Sequence, residues 1–554
     1  MKNRDVKRFN WIVHVGKRWL VPCIVVLLLG IFTTLSLIES SRQSATADEV
    51  AHIPAGISYA QTGDLRMNQE HPVLVKYLSG VSAQIFSHPT FSKDWHFWKT
   101  SNEWYFGRQV LYFSPQNDAD KIVFWARVPI LILSIALGLI IFFWASSLFG
   151  QTTGLAALVF YSLDPTIIAY SHLVVFDLPM TTFVAASMFC LWSARKKTTL
   201  WGYILAGLFL GLSLTAKFSA VALIILLPLL LYPATRYIKG HRNKKIKFYL
   251  SRLGVVYGVT GLTIWMVYLL IQGNQVWRRA GILPAAFTRT IGGGIARYQG
   301  IKPMYLDGYL SSKGMWWYFP GSFLAKSTLV FLLVLVAGSV YIMNKKQNWF
   351  SDTKIFLLAP TLFTGALAVL SRFDIGLRLI FIIYPLLFIV AGYMASLVLK
   401  QSRKAKLWLG LALVYYAFTL ITAFPSYLAY SNELFGGRAH SYRYLADSNL
   451  DIGQGLKELK GYTTDHHIKN MSIVYFGDAD PKYYGFNLID ISIQPFTDGL
   501  PPYLIPKEGG WLAVSASYAN YAGLHKLNYQ IRGTYPKDVV AGSILIYKLP
   551  RLPG

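Results

Sequence analysis

Residues 19–38 read WLVPCIVVLLLGIFTTLSLI, and shortly after them residues 48–76 read DEVAHIPAGISYAQTGDLRMNQEHPVLVK. The first stretch is long enough to cross the hydrocarbon of a bilayer, and six Lys or Arg precede it between positions 2 and 18. It is longer than the apolar core of a signal peptide, so it is expected to be retained as a membrane span, although Ala45-Thr46-Ala47 has the small residues of a cleavage site. The second stretch gathers Asp48, Glu49, His52, Asp64, Glu70, His71 and Lys76 in a chain where only 14% of residues are charged. A charge cluster immediately beyond a spanning helix, in so apolar a protein, marks a candidate site.

The composition of the whole chain agrees with this. Its 554 residues are 54% hydrophobic, more than a soluble core of that size uses, which predicts a polytopic α-helical membrane protein. The formal charge of +27 could point to a polyanionic partner. The basic residues fall instead in short runs between apolar segments, at 2–18, 195–197, 236–252, 345–346 and 400–406. That is the positive-inside pattern, and no nucleic-acid partner is expected. Cys23 and Cys190 both lie in apolar segments, which argues against disulfides, thiol catalysis or a Cys-rich metal centre.

Further apolar segments run over 122–144, 153–170, 178–193, 200–214, 218–232, 253–271, 319–343, 355–370, 379–399 and 407–424, giving about eleven helices with the first. Placing each basic run in the cytoplasm puts the amino terminus inside and the carboxyl terminus outside. The connections 39–121, 171–177, 215–218, 272–318 and 372–378 then share the external face. Beyond position 424 the composition turns to short mixed runs. Strands are expected at 470–476, 510–515 and 542–547 and a helix at 447–462, making a small external α/β domain over 425–554 behind a transmembrane domain over 1–424.

Within 39–121, Asp48-Glu49 favours a helix amino terminus and Gly63 can end that helix. Helical spacing sets Glu49, His52, Gly56 and Tyr59 along one stripe with Asp48 on its flank. Pro72 suits the first position of a second helix, leaving Glu70 and His71 at its mouth. A wet interfacial loop is the alternative explanation of this polarity. Lys217 falls at an external turn between two apolar helices, where an unpartnered ammonium would be costly.

Four segments together resemble polyprenyl-phosphate-dependent GT-C glycosyltransferases, the bacterial relatives of protein O-mannosyltransferases and lipid A aminoarabinose transferases. They are residues 48–76, GLFLGLSLTAKFSAV at 207–221, FDIGLRLIFIIYPLLFI at 373–389, and PSYLAYSNELFGG at 425–437 followed by YRYLADSNLDIGQGLKELK at 442–460. The third departs from the family's Gly-His-Arg-His pattern: Leu377 and Leu379 replace both histidines, and Arg378 is retained. The resemblance implies transfer of a sugar, with inversion, from a polyprenyl phosphate to an acceptor hydroxyl of a protein, lipid or cell-envelope glycan at the external face of the plasma membrane.

Such a reaction needs a carboxylate to take the acceptor proton, so Asp48 or Glu49 is the candidate base and the other orients substrate. Cations must meet the leaving phosphate. Arg378 is the first candidate because a guanidinium can grip phosphate bidentately, and Lys217 is the second. Lys76 and Arg372 are further candidates, with contact to lipid headgroups as their alternative. Asp177, in HLVVFDLPMTTF at 172–183, matches an acid of the family's active site, with helix capping ahead of Pro179 as its alternative. His52, Tyr59, Glu70 and His71 are expected to line the site. They form no compact ligand motif, so no metal and no cofactor beyond the lipid-linked sugar is expected.

The aromatic run 315–319 is read as an interfacial belt, Gly292-Gly293-Gly294 as no nucleotide cradle, and the DSNLD of 447–451 as a helix cap. A transporter or flippase of lipid-linked sugars would also need buried charges and phosphate contacts. It should place them near the midplane, whereas here they gather on one face.

Overall fold

The computed structural model describes residues 2–196, 199–277, 282–299, 304–344, 353–488, 510–522 and 535–549. The basic pair at 345–346 and Lys197 lie outside them. All eleven apolar segments are helical over most of their described length, but they are not eleven uniform rods. Among the described residues, six helices are long and apolar enough to cross a membrane: Trp19–Arg42, Ala119–Phe149, Phe218–Tyr237, Arg242–Trp277, Leu377–Val398 and Arg403–Ala423. Tyr318–Lys326 and Leu329–Gly338 form a seventh candidate if taken as one span bent by 113°. The segment expected at 153–170 is broken between Ser162 and Pro165 because Asp164 caps a new helix, its carboxylate accepting from the Ile167 amide at 2.9 Å.

The connection after the first span is helical for much of its length, with Ala47–Thr62, Leu74–Ser87 and Glu103–Tyr112 as its longer helices. The first of these begins with a capping box: the Glu49 carboxylate accepts from the Thr46 amide at 2.9 Å. It ends at Gly63, whose φ of +69° suits a residue without a side chain and whose amide donates to the Tyr59 carbonyl. The second helix begins at Leu74, two residues after Pro72. The two helices cross glycine on glycine. A Cβ on Gly56 would lie 1.9 Å from the Lys76 carbonyl oxygen, and one on Gly80 would lie 2.0 Å from the Gly56 carbonyl carbon, so only the bare backbones permit this approach.

One buried ion pair fastens this layer to the bundle. Arg127, 1% exposed in the helix Ala119–Phe149, donates through Nε and Nη2 to Oε1 and Oε2 of Glu49, which is 0% exposed, at 2.8 and 2.7 Å. The same guanidinium holds the carbonyls of Ser40 and Ser44, each at 2.9 Å, where the first span ends. Glu49 also accepts from the Val174 amide at 3.0 Å. Burial opposes ionisation of Glu49, but Arg127 and these amides hold its carboxyl below the ordinary range.

The expected loop 272–318 contains a helix, Ala285–Gln299, and a short antiparallel hairpin, Met304–Leu306 with Tyr309–Ser311. Its alternation of Ala, Thr and Ile with three glycines concealed the helical period. The helix expected at 447–462 is also revised: Asp447–Asn449 is a single 3-10 turn, and the α-helix is Leu456–Asp465, because Gly453 sits at φ +87° between them. The three expected strands are found, and among the described residues two unexpected short ones join them in a five-stranded mixed sheet. Its order is Asn487–Leu488, Met471–Val474, Gly510–Ser515, Ile544–Leu549 and Asp538–Val540, the first three parallel and the last two antiparallel to their neighbours.

Two outcomes follow from these contacts. Glu49→Gln or Arg127→Met each leaves a buried group without its partner and should cost about 3–5 kcal/mol, whereas the double variant Glu49→Leu/Arg127→Met should cost less than the sum, measured by thermal unfolding in detergent. Gly56→Val should lower the unfolding midpoint through overpacking worth about 1–3 kcal/mol, and an unchanged midpoint would show that the helices need not touch there.

Candidate functional site

Asp48 and Glu49 are neighbours on one helix but face different surroundings. Glu49 is consumed by the Arg127 lock. Asp48 is partly exposed and opens into a cleft of about 590 Å³ of empty space, mouth included, together with His52, Glu70, His71, Asp177, Lys217 and Arg378. Phe176, Phe218, Phe373 and Leu379 supply apolar wall. Seven of the eleven residues expected from sequence therefore share one cavity, although they come from segments as far apart as positions 48 and 378.

Four of the cleft's charged side chains form two ion pairs. Arg378 donates through Nη1 to Oδ2 of Asp48 at 2.6 Å. The Lys217 ammonium bonds Oδ1 of Asp177, with both side chains buried. Lys217 stands where the helix Trp201–Ala216 ends, in an extended conformation (φ −150°) that turns the chain before Phe218. Asp177 begins the helix Asp177–Ala194, but its carboxylate is turned to Lys217, which sets aside the capping alternative. The Nδ1 of His52 lies 2.9 Å from the Val174 carbonyl. A carbonyl only accepts, so Nδ1 carries the proton. The imidazole ring packs 4.3 Å from Phe176, which also packs 4.5 Å from His71.

Four expected residues stand elsewhere, each for a physical reason. Glu49 is saturated by Arg127 and backbone amides. The Lys76 ammonium is fully buried and donates to the Asn68 carbonyl, to Asn68 Oδ1 at 2.9 Å and to the His71 carbonyl at 2.8 Å, so its three protons close the turn that presents Glu70 and His71. Burial presses its pKa down to about 7 against the pull of Glu103 and Glu70. Arg372 is exposed and does not line the cleft. Tyr59 donates its hydroxyl to the Met67 carbonyl and lines an adjoining cavity, which shares His71 with the cleft.

Sequence reasoning missed two contributors. Arg127 was overlooked, although a lone arginine in an apolar segment is a costly residue that demands a partner. The DSNLD segment, read as a helix cap, caps none: the helix Leu456–Asp465 starts after Gly455 without a side-chain cap. Asn449 Oδ1 accepts from the Leu377 amide at 2.8 Å, while its Nδ2 donates to Tyr318 and Ser322 at 3.1 Å each. Gly376 packs so closely that a Cβ there would lie 2.4 Å from the Ser448 Cβ. The backbone that carries Arg378 is thus held by a segment some seventy residues later. Asp447, whose carboxyl burial pushes up, lies within electrostatic reach of both Arg378 and Asp48.

The family model for dolichyl-phosphate-mannose-protein mannosyltransferase matches residues 120–265, about a quarter of the chain. No curated protein sequence matches the chain. Among solved structures, ArnT from Cupriavidus metallidurans bound to undecaprenyl phosphate superposes with a TM-score of 0.51 at 12% identity, over 94% of this chain and 97% of that one. The oligosaccharyltransferase AglB from Archaeoglobus fulgidus, in complex with an inhibitory peptide and a dolichol-phosphate, gives a TM-score of 0.45 at 12% identity, over 94% and 73% of the two chains. At these identities the likeness is one of fold, and it rests on the first match. The chain therefore has the polytopic GT-C membrane fold, with a central segment similar to the dolichyl-phosphate-mannose-protein mannosyltransferases.

Proposed function

We propose that the protein is a membrane glycosyltransferase that moves a sugar from a polyprenyl-phosphate donor to an acceptor hydroxyl. One observation carries this reading: a single cleft joins a partly exposed carboxylate, Asp48, to the cations Arg378 and Lys217. A carboxylate beside a phosphate-binding pair is what displacement at an anomeric carbon requires. The match to an undecaprenyl-phosphate-bound structure supports the fold in which this would occur.

In the proposed reaction Asp48 takes the proton of the acceptor hydroxyl as its oxygen bonds the anomeric carbon. The bond from that carbon to the phosphate oxygen breaks in the same displacement, inverting the centre. Arg378 and Lys217 meet the charge that grows on the leaving phosphate, in a cleft whose aromatic wall limits hydration. The pairing of Arg378 with Asp48 adds a coupling. A phosphate that takes up the guanidinium draws it from the carboxylate, and a carboxylate less neutralised is a better base. Asp177 orients Lys217, and the His52, Glu70 and His71 side chains border the sugar's space. The reaction draws on no cofactor and no metal. We further assign eleven spans, a transmembrane domain over 1–424, an external α/β domain over 425–554, a cytoplasmic amino terminus and residence in the plasma membrane. The acceptor, whether protein, lipid or envelope glycan, meets Asp48 from the external side.

Purified protein given a labelled polyprenyl-phosphate sugar and an envelope fraction should transfer label. Asp48→Asn should lower kcat by about 10²–10⁴-fold when assayed at a temperature where the variant is fully folded. Full transfer by Asp48→Asn would refute its role as base. Asn449→Ala should act through Arg378, raising KM for the donor more than it lowers kcat; an equal loss in both at a lowered unfolding midpoint would mark Asn449 as merely structural.

A further inference from the structure

An apolar groove of about 1060 Å³ of empty space, open mouth included, shares no lining residue with the cleft and is bounded by Val334, Gly338, Met394, Val398, Trp408 and Ala412 among others. Its walls are the helices Leu329–Asn344, Tyr384–Val398 and Arg403–Ala423. Among the described residues, Gln401 and Trp408 are the lining side chains with a polar tip. Arg378 and Val398 stand at opposite ends of one candidate span, Leu377–Val398, whose α-helical part, Tyr384–Val398, alone rises about 21 Å. The groove therefore opens at the membrane face opposite the cleft and is no part of the donor site.

What stands at its mouth is unusual for this chain. Lys400, Arg403, Lys404 and Lys406 occupy seven consecutive positions, all four exposed, and no Asp or Glu occurs in the sequence between Asp374 and Glu433. Trp408 is 70% exposed one turn beyond, in the manner of an interfacial tryptophan. A groove of this lining takes a hydrocarbon chain, and four cations with no neighbouring carboxylate in sequence take an anionic headgroup. A positive-inside run that served orientation alone would need no groove beside it.

We propose that this is a binding site for an anionic phospholipid of the leaflet opposite the cleft. One acyl chain fills the groove, and the phosphate sits among Lys400, Arg403, Lys404 and Lys406, whose flexible stems let the charges reach it. The site is independent of the transfer reaction.

The test uses the full chain, purified in neutral detergent, depleted of lipid, and titrated with phosphatidylglycerol, phosphatidylcholine or inorganic phosphate. Native mass spectrometry reads retained lipid and thermal unfolding reads its effect. Phosphatidylglycerol should be retained at least about tenfold better than phosphatidylcholine and should raise the unfolding midpoint, while phosphate alone does neither. The variant K400Q/R403Q/K404Q/K406Q should lose the preference, and the swap K400R/R403K/K404R/K406R should keep it. Ala412→Trp and Ala405→Trp, which intrude on the groove from two places, should each reduce retention with every charge in place. Equal retention of the two lipids, or preference surviving the charge-neutral variant, would overturn the proposal. Loss with the charges but not with either tryptophan would reduce it to attraction at a surface and overturn the groove. Because lipid retention is the readout, failure of the transfer assay would leave this result unaffected.

Discussion

The arrangement of the cleft depends on one buried ion pair, Glu49 with Arg127. Two charges removed from water are stable only when their geometry and remaining hydrogen bonds are satisfied, and here both conditions hold. The guanidinium fork meets both carboxylate oxygens while its other protons hold the Ser40 and Ser44 carbonyls. The carboxylate in turn closes its own helix through Thr46 and fixes the turn before Asp177 through Val174. The pair thus ties together the end of the first span, the start of the surface helix and the segment that delivers Asp177. Asp48 is one residue away, about 100° around the helix, and is aimed into the cleft because Glu49 is aimed out of it.

A second layer of backbone contacts supports the cleft from beneath. Lys76 spends its protons on the Asn68–His71 turn, and Asn449 spends its amide on Leu377, so Glu70, His71 and Arg378 are each positioned by a partner that never enters the cavity. Tyr170 donates its hydroxyl to the Ser448 carbonyl and closes the same side. Groups that bind a transferring phosphate act best when their own geometry is fixed before substrate arrives. The two ion pairs in the cleft hold Arg378 and Lys217 without such a ligand while leaving them as cations that a phosphate can recruit.

Much of this was legible in the sequence. Apolar length predicted the helices, and the concentration of charge at 48–76, with Lys217 and Arg378 at distant turns, predicted the members of the cleft. Side-chain direction was not legible. Helical spacing alone cannot say that Glu49 meets an arginine 78 positions later, or that Lys76 folds back on its own turn; both depend on partners brought by tertiary contact. Arg378 ranked above Arg372 in the sequence, but that its backbone is held by Asn449 and by the packing of Gly376 against Ser448, while Arg372 stays exposed, was not legible there. Bent and broken helices escaped notice because an apolar window does not register Asp164 or the 113° bend after Lys326 as interruptions.

The proposed role of Arg378 and Lys217 is to hold a lipid phosphate next to Asp48. It is tested most directly by measuring the equilibrium binding of a short-chain polyprenyl phosphate, without sugar, to the purified protein. Arg378→Ala and Lys217→Met should each weaken binding by tenfold or more, on the scale of a lost charge-assisted contact of about 1.5–3 kcal/mol, while Arg372→Ala leaves it unchanged. Undiminished binding by both cleft variants, or a loss confined to Arg372→Ala, would contradict the account.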